Sequence, residues 1–422
     1  MTSRIRRVVI RVSKAGLTCR DPEPPDVCGA LAHGTTGETT PRERHSVTLR
    51  DGYRFRRDPL EFIEDCARRS ETDVFRLPWG AWCVRDTDLA LKVLRDPAFN
   101  SGLSGFFGDT LPTRAAQAGL GRAVRETVRA HVPTYGHDMA RAVDGIPAVS
   151  AWPMTGLMLV HRASADLLLH PGVPASLGLL LRRFVRSGLV RSPRLRHRVQ
   201  AEAHRLRLVE ALTGHVAERR AESVRAPAPR DVLDAVIGAC PEEVTDRTAA
   251  QLYIMLVVAI VGPLGYTVAW SVLLACLHHR PGASWPWPTD WITREAARHR
   301  PVAWMVGRRV PSPARYGGVD LRPGTTLSVS PYLLHHDQNR WTDAQRFSPE
   351  RWGEPAQHGP YLPFSAGPFS CAGAAVAQTL VTATVTALTA GARLSVRGRD
   401  IRTVVTDASI PGPFELQRAP AH

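Results

Sequence analysis

None of the seven cysteines (Cys19, Cys28, Cys66, Cys83, Cys240, Cys276 and Cys371) stands in a CxxC pair. That spacing speaks against finger- and ribbon-type zinc sites. An odd, scattered set without a secretion signal implies reduced thiols and a cytoplasmic setting. No Gly/Ser-rich linker divides the 422 residues, so the two to three domains that length alone suggests are not marked out. The opening MTSRIRRVVIRVSKAG is too charged, and its apolar run too short, for a signal peptide. Acidic residues are in deficit: 39 Asp and Glu face 54 Lys and Arg, for a formal net charge of +15. A basic chain can meet nucleic acid, an anionic membrane or an acidic protein. With neither zinc-finger spacing nor an aromatic–glycine RNA-binding signature, nucleic acid is not an expected partner.

What is present is organised mainly in helices. Residues 1–50, rich in Pro, Gly, Arg and Thr and without periodicity, read as a disordered leader, and 51–422 as one folded domain. DVFRLPWGAWCVRD places two short β-rich runs around a Pro-Trp-Gly turn, the pattern of a hairpin. DLALKVLRD follows as a short helix ended by Pro97. From about 115 to 240 the period is helical, and residues 201–225 carry an apolar stripe against a solvated basic face. A small-residue helix is expected from Ala372 to about Ala390, closed by Gly391, and the tail holds two further strands. The sum is a mainly α architecture with small β-sheets.

Residues 252–277 are uncharged throughout and long enough to span a membrane. Gly262, Pro263 and Gly265 interrupt the middle of the run, and no second span accompanies it. A helix apolar all round is also what the centre of a large globular protein requires. The buried helix is the expectation, and an integral membrane protein the alternative.

The chemistry gathers near the C-terminus, in Phe364-Ser-Ala-Gly367-Pro-Phe369-Ser-Cys371-Ala-Gly373. Gly367 permits a tight turn, and Cys371 falls at the start of the following helix, where backbone N–H groups favour a thiolate. Gly373 leaves room for a flat group. A lone cysteine is more often a small buried structural residue, so its surroundings decide the reading. Upstream, Glu295 and Arg298 share a helix face at i and i+3. Then come Arg300-Pro301-Val-Ala-Trp304, Arg308-Arg309, Ser330-Pro331-Tyr332 with His335-His336-Asp337, and Arg346-Phe-Ser-Pro349-Glu-Arg351-Trp352.

In this order and spacing the chain resembles the cytochrome P450 family in its soluble bacterial style, most firmly from about 290 to 390. The resemblance implies a P450-like fold with haem b buried between the 252–277 helix and the cysteine-loop helix. Cys371 would ligate the iron and push electron density onto it, and Phe364 would cover the sulfur. Gly367 and Gly373 would shape the cofactor loop, Arg308 (or, as the alternative, Arg309) and His335 would hold the propionates, and Glu295, Arg298 and Arg346 would form a buried charged triad. Thr267 matches the threonine that orients bound oxygen and water. The implied activity is monooxygenation of a hydrophobic small molecule such as a terpenoid, with molecular oxygen and electrons from a ferredoxin-type donor.

Several positions depart from the family pattern. Phe369 stands where a base usually grips a propionate, and Leu264-Gly265-Tyr266 lacks the usual acid before Thr267. Between Pro281 and Glu295 the chain is too short for the family's helix pair, and the partner-facing basic site has only Arg122, Arg125 and Arg129 as substitutes. A degenerate or non-catalytic relative that binds haem or a lipophile is therefore the alternative function.

Overall fold

The computed structural model describes residues 49–190, 194–222, 228–354, 358–397, 402–406 and 408–421. The expected leader lies outside these except for its last two residues. Two helices open the fold, α1 (Leu49–Arg57) and α2 (Pro59–Arg69), the second capped by Asp58, whose carboxylate accepts from the Glu61 N–H. The anticipated hairpin follows as β1 (Val74–Arg76) and β2 (Trp82–Val84), antiparallel with Phe75 opposite Cys83. Next come α3 (Thr87–Arg95), the 31-residue α4 (Arg114–Asp144), β3 (Val149–Trp152), α5 (Met154–Ala163), α6 (Ala165–Leu168), α7 (Ala175–Gly188), α8 (Leu195–Glu222) and α9 (Val232–Ala239). The remaining helices are α10 (Asp246–Leu277), α11 (Thr289–His299), α12 (Pro331–His335) and α13 (Ala374–Thr389). Between and after them lie β4 (Val306–Arg309), β5 (Ala314–Tyr316), β6 (Val319–Leu321), β7 (Thr326–Val329), β8 (Ala392–Arg397), β9 (Thr403–Val405), β10 (Ser409–Pro411) and β11 (Phe414–Pro420).

The strands form small sheets at the margins of the helical body. Their orders are β1-β2-β7-β4, β3-β11-β8 and the pairs β5-β6 and β9-β10. Of these, β3, β10 and β11 were not anticipated. The β3–β11 pairing sets Trp152 opposite Phe414 across more than 260 residues, a link that no local pattern announces.

The 252–277 run is the core of α10, the one helix among the described residues long and apolar enough to cross a membrane. It packs against α5, α8, α11 and α13 in one continuous apolar cluster, as the buried reading expects. Polar atoms on α10 are paired with neighbours: the Tyr253 hydroxyl donates to Leu168 O (2.9 Å) and the Trp270 indole to Ser409 O (3.1 Å). A Cβ added at Gly265 would lie 2.9 Å from Leu157 Cα, so glycine there lets α10 and α5 meet backbone to backbone.

Four histidines are buried with depressed pKa values: His161 (about 4), His335 (about 3), His299 and His336. Burial is the main cause in each, with neighbouring arginines adding to it. A histidine held below its ordinary 6.5 takes up a proton more readily in the unfolded chain. Stability is therefore full above about pH 6.5 and declines as the pH falls toward the folded values. At about pH 5 each such group costs about 2 kcal/mol. The urea midpoint is expected to drop between about pH 7 and pH 5, with His161→Leu flattening part of that slope. A midpoint constant over this range refutes the account.

Candidate functional site

The loop before α13 is shaped by one contact with α3. Gly367 has φ +74°, and a Cβ there would lie 2.1 Å from Leu94 O at the end of α3. Gly367–Phe369 then make a short 3-10 turn, Ser370 N donates to Gly367 O, and Cys371 N donates back to Phe364 O (2.9 Å). This loop presents Cys371 at the surface.

The helix begins at Ala374, two residues later than the sequence suggested, with Gly373 at the cap. Cys371 is thus outside the helix, which corrects the expectation of a thiolate favoured by its first turn. Crowding around the sulfur pushes the thiol pKa up, and the Gly373 N–H pulls it down only in part. Gly373 does leave space: a Cβ there would meet only Cys371 Sγ, at 4.0 Å.

Beside the loop two arginines bracket Phe369, with guanidinium carbons 5.6 Å (Arg114) and 5.4 Å (Arg308) from the ring centroid. Asn100 ties them together. It is 1% exposed, and its amide nitrogen closes the end of α3 on Val93 O, Leu94 O and Asp96 O. Its side-chain oxygen accepts from Arg308 Nε (2.7 Å), and its backbone oxygen accepts from Arg114 Nη1 (2.9 Å). Among the described residues no carboxylate pairs with either arginine, and Arg308 Nη2 is buried without a partner. A buried N–H left without an acceptor is costly, so Nη2 can take an anionic oxygen. Neither Arg114 nor Asn100 was foreseen. They carry no local motif, and Asn100 meets Arg308 across 208 residues.

Two other expectations are corrected. His335 is fully buried: Nδ1 donates to Arg298 O (3.0 Å) and Nε2 accepts from Leu362 N (2.7 Å). With both ring nitrogens bound to backbone, no donor remains for a propionate. In the charged triad, Glu295 and Arg298 form the expected bidentate pair (3.0 and 2.8 Å) with no solvent exposure. The third member is Arg351, whose Nε donates to Glu295 Oε1 (3.1 Å); the Arg346 side chain is exposed and only its carbonyl joins the network. Arg298 adds donations to His335 O and Ala344 O, and Arg351 to Thr342 O, so the pair pins the 335–351 segment.

On α10 one strip is uncovered: Gln251, Val258 and Pro263 are exposed, and Met255, Ala259 and Thr267 half-exposed. These positions recur at helical spacing along one face. Thr267 lies on this strip, its hydroxyl donating to Pro263 O (2.8 Å). Pro263 lacks an N–H, which leaves Ala259 O without its usual helical donor. Tyr266 points elsewhere: it is 4% exposed and its hydroxyl donates to Leu189 O at the end of α7 (2.7 Å). Arg122, Arg125 and Arg129 sit at i, i+3 and i+7 on one accessible face of α4. Two surface concavities, of about 240 and 230 Å³, lie along α5 and include no residue of the cysteine loop or α10.

Residues 289–404 match the cytochrome P450 family model. Over this C-terminal region the chain is similar to the cytochrome P450 family. Cyclooctat-9-en-7-ol 5-monooxygenase of Streptomyces melanosporofaciens is 34% identical over 104 residues, 23% of this chain and 23% of that protein. Cyclooctatin synthase of the same organism is 29% identical over 133 residues, 30% of this chain and 29% of that protein. The chain thus spans 23% and 29% of the lengths of these two curated relatives. The fold likeness is wider: the P450 CYP109Q5 of Chondromyces apiculatus superposes with a TM-score of 0.66 at 16% identity, covering 87% of this chain and 97% of that one.

The P450 cofactor is haem, and the residues here fit it. The accessible Cys371 supplies a thiol, Gly373 the clearance, and the orphaned Arg308 with Arg114 the positive charge for propionates.

Proposed function

We propose that the chain is a haem-dependent monooxygenase that hydroxylates a hydrophobic small molecule. The observation that carries this reading is the proximal constellation. An accessible cysteine on a constrained loop follows, by two residues, a phenylalanine flanked by two arginines that have no carboxylate partner among the described residues. Haem, when bound, supplies the oxygen activation and one-electron chemistry.

Cys371 would hold the iron as a thiolate, and Phe364, whose carbonyl accepts from the Cys371 N–H, would cover the sulfur. Arg114 and Arg308 would hold the propionates. Thr267 lies on the uncovered strip of α10 and can turn its hydroxyl from Pro263 O toward a bound water. The apolar members of that strip, Met255, Val258, Ala259 and Pro263, suit a hydrophobic substrate. The relatives named for cyclooctat-9-en-7-ol and cyclooctatin support a terpenoid or another secondary metabolite. Electrons come from a separate ferredoxin-type protein, whose acidic surface the +15 charge and the Arg122, Arg125 and Arg129 face suit. The reaction takes place in the cytoplasm.

The test is the carbon monoxide difference spectrum of the reduced, haem-loaded protein. Wild type is expected to give the strongly red-shifted Soret band of a thiolate ligand, and Cys371→Ser to lose it. An unchanged band in the variant refutes the ligand assignment. A second reading, a haem or lipophile carrier without turnover, is favoured by Tyr266, which replaces the acid before Thr267 and is committed to Leu189 O. Product formation with a surrogate ferredoxin and reductase eliminates the carrier.

A further inference from the structure

We infer that Phe369 is a positioning residue that sets Arg114 and Arg308 as a two-armed clamp for the haem propionates, an inference that rests on the haem reading above. The local arrangement holds two cations and, among the described residues, no acid paired with either. Both guanidinium carbons lie within 6 Å of one ring centroid, and Asn100 fixes one nitrogen of each through a side-chain or backbone oxygen. Nη2 of Arg308 is left buried and unpartnered, pointing to an anionic ligand.

Two like charges on one ring repel each other, and Arg308, which is only half-exposed, is less screened by water than the exposed Arg114. The faces of an aromatic ring carry negative charge density, and each cation–π contact contributes roughly 0.5–2 kcal/mol. The ring therefore offsets the repulsion and holds both arms before the cofactor arrives. A base at 369 would add a third cation; phenylalanine instead orients the two already present. Phe369 has no polar side-chain atom, so its part is confined to placing the arginines.

The test uses the full chain loaded with either haem or haem dimethyl ester, whose propionates carry no charge. Release to an excess of a haem-scavenging acceptor is followed at the Soret band for wild type, Phe369→Leu and Phe369→Tyr. Wild type is expected to hold haem more tightly than the ester. Phe369→Leu, which keeps the bulk and loses the ring, should release haem about tenfold faster and the ester at the wild-type rate. Phe369→Tyr, which keeps the ring, should restore wild-type behaviour toward both. Equal acceleration of haem and ester by Phe369→Leu would show mere packing and overturn the inference, as would no change in either, with the haem reading intact in both cases. A wild-type chain that takes up no haem overturns the haem reading and this inference with it.

Discussion

Replacing Arg351 by alanine is expected to leave almost no folded, haem-competent protein, whereas Arg346→Ala should behave like wild type. Arg351 is 2% exposed and Glu295 fully buried. Glu295 accepts from Arg298, Arg351, the Trp352 indole and the Ser348 N–H. Removing one partner of a buried ion pair costs about 3–5 kcal/mol, a large share of a stability of about 5–15 kcal/mol. The loss here is compounded, because Thr342 O and Asp343 O also forfeit their donors. Lysine is no substitute, since it cannot reproduce a fork that reaches Glu295 with Nε and the 342–346 carbonyls with its two Nη groups. Arg346 lends the network only its carbonyl, which alanine keeps, so its removal should cost within about 0.5 kcal/mol. Soluble yield and thermal unfolding of Arg351→Ala, Arg351→Lys and Arg346→Ala read this directly. Equal effects at 346 and 351 would refute the assignment of Arg351 as third member.

The same pair shows how far the sequence can be read. Glu295 and Arg298 sit in a short motif whose i, i+3 spacing is itself the geometry, and the structure pairs them; Gly367 takes the positive φ that its turn needed, while Cys371 falls before the helix and not in its first turn. Arg346 and Arg351 flank one box, and spacing alone does not say which guanidinium turns inward. Pro349, which opens a short 3-10 turn over Pro349–Gly353, was the available clue, because that turn carries Arg351 back over Glu295. His335 failed because its propionate role came from the resemblance alone, and burial on α12 commits both its nitrogens to backbone. The start of α13 was placed two residues early because small residues continue unbroken from Ala372, and the turn at Gly373 has no separate signature. Asn100 and Arg114 are the larger omission. Their meaning comes only from contacts with Arg308 and Phe369, far along the chain, so no window of sequence contains it. The long helices between 115 and 240 were legible as periodicity, while what α7 and α8 cover was not.

Gly367→Ala is expected to be the most damaging single-methyl change in the protein, and Gly391→Ala a mild one. Both glycines have positive φ, +74° and +61°, so each substitution incurs about 1–2 kcal/mol of left-handed backbone strain. They differ in surroundings. Nothing lies within 4 Å of a Cβ at Gly391, whereas one at Gly367 would stand 2.1 Å from Leu94 O and 3.0 Å from Arg95 Cα. That obstacle is backbone and cannot swing aside. Leu94 O is also the carbonyl that the Asn100 amide holds at 3.2 Å. The methyl must therefore either lift the cysteine loop or break the closure of α3, and in the second case Asn100 releases Arg308 as well. Both routes move Cys371 relative to the arginines around Phe369. The expected result for Gly367→Ala is a melting temperature several degrees below that of Gly391→Ala and a carbon monoxide spectrum without the thiolate band. If the two variants melt together and Gly367→Ala keeps that band, the loop is not docked on α3 as described, and the proximal site is held by some other contact.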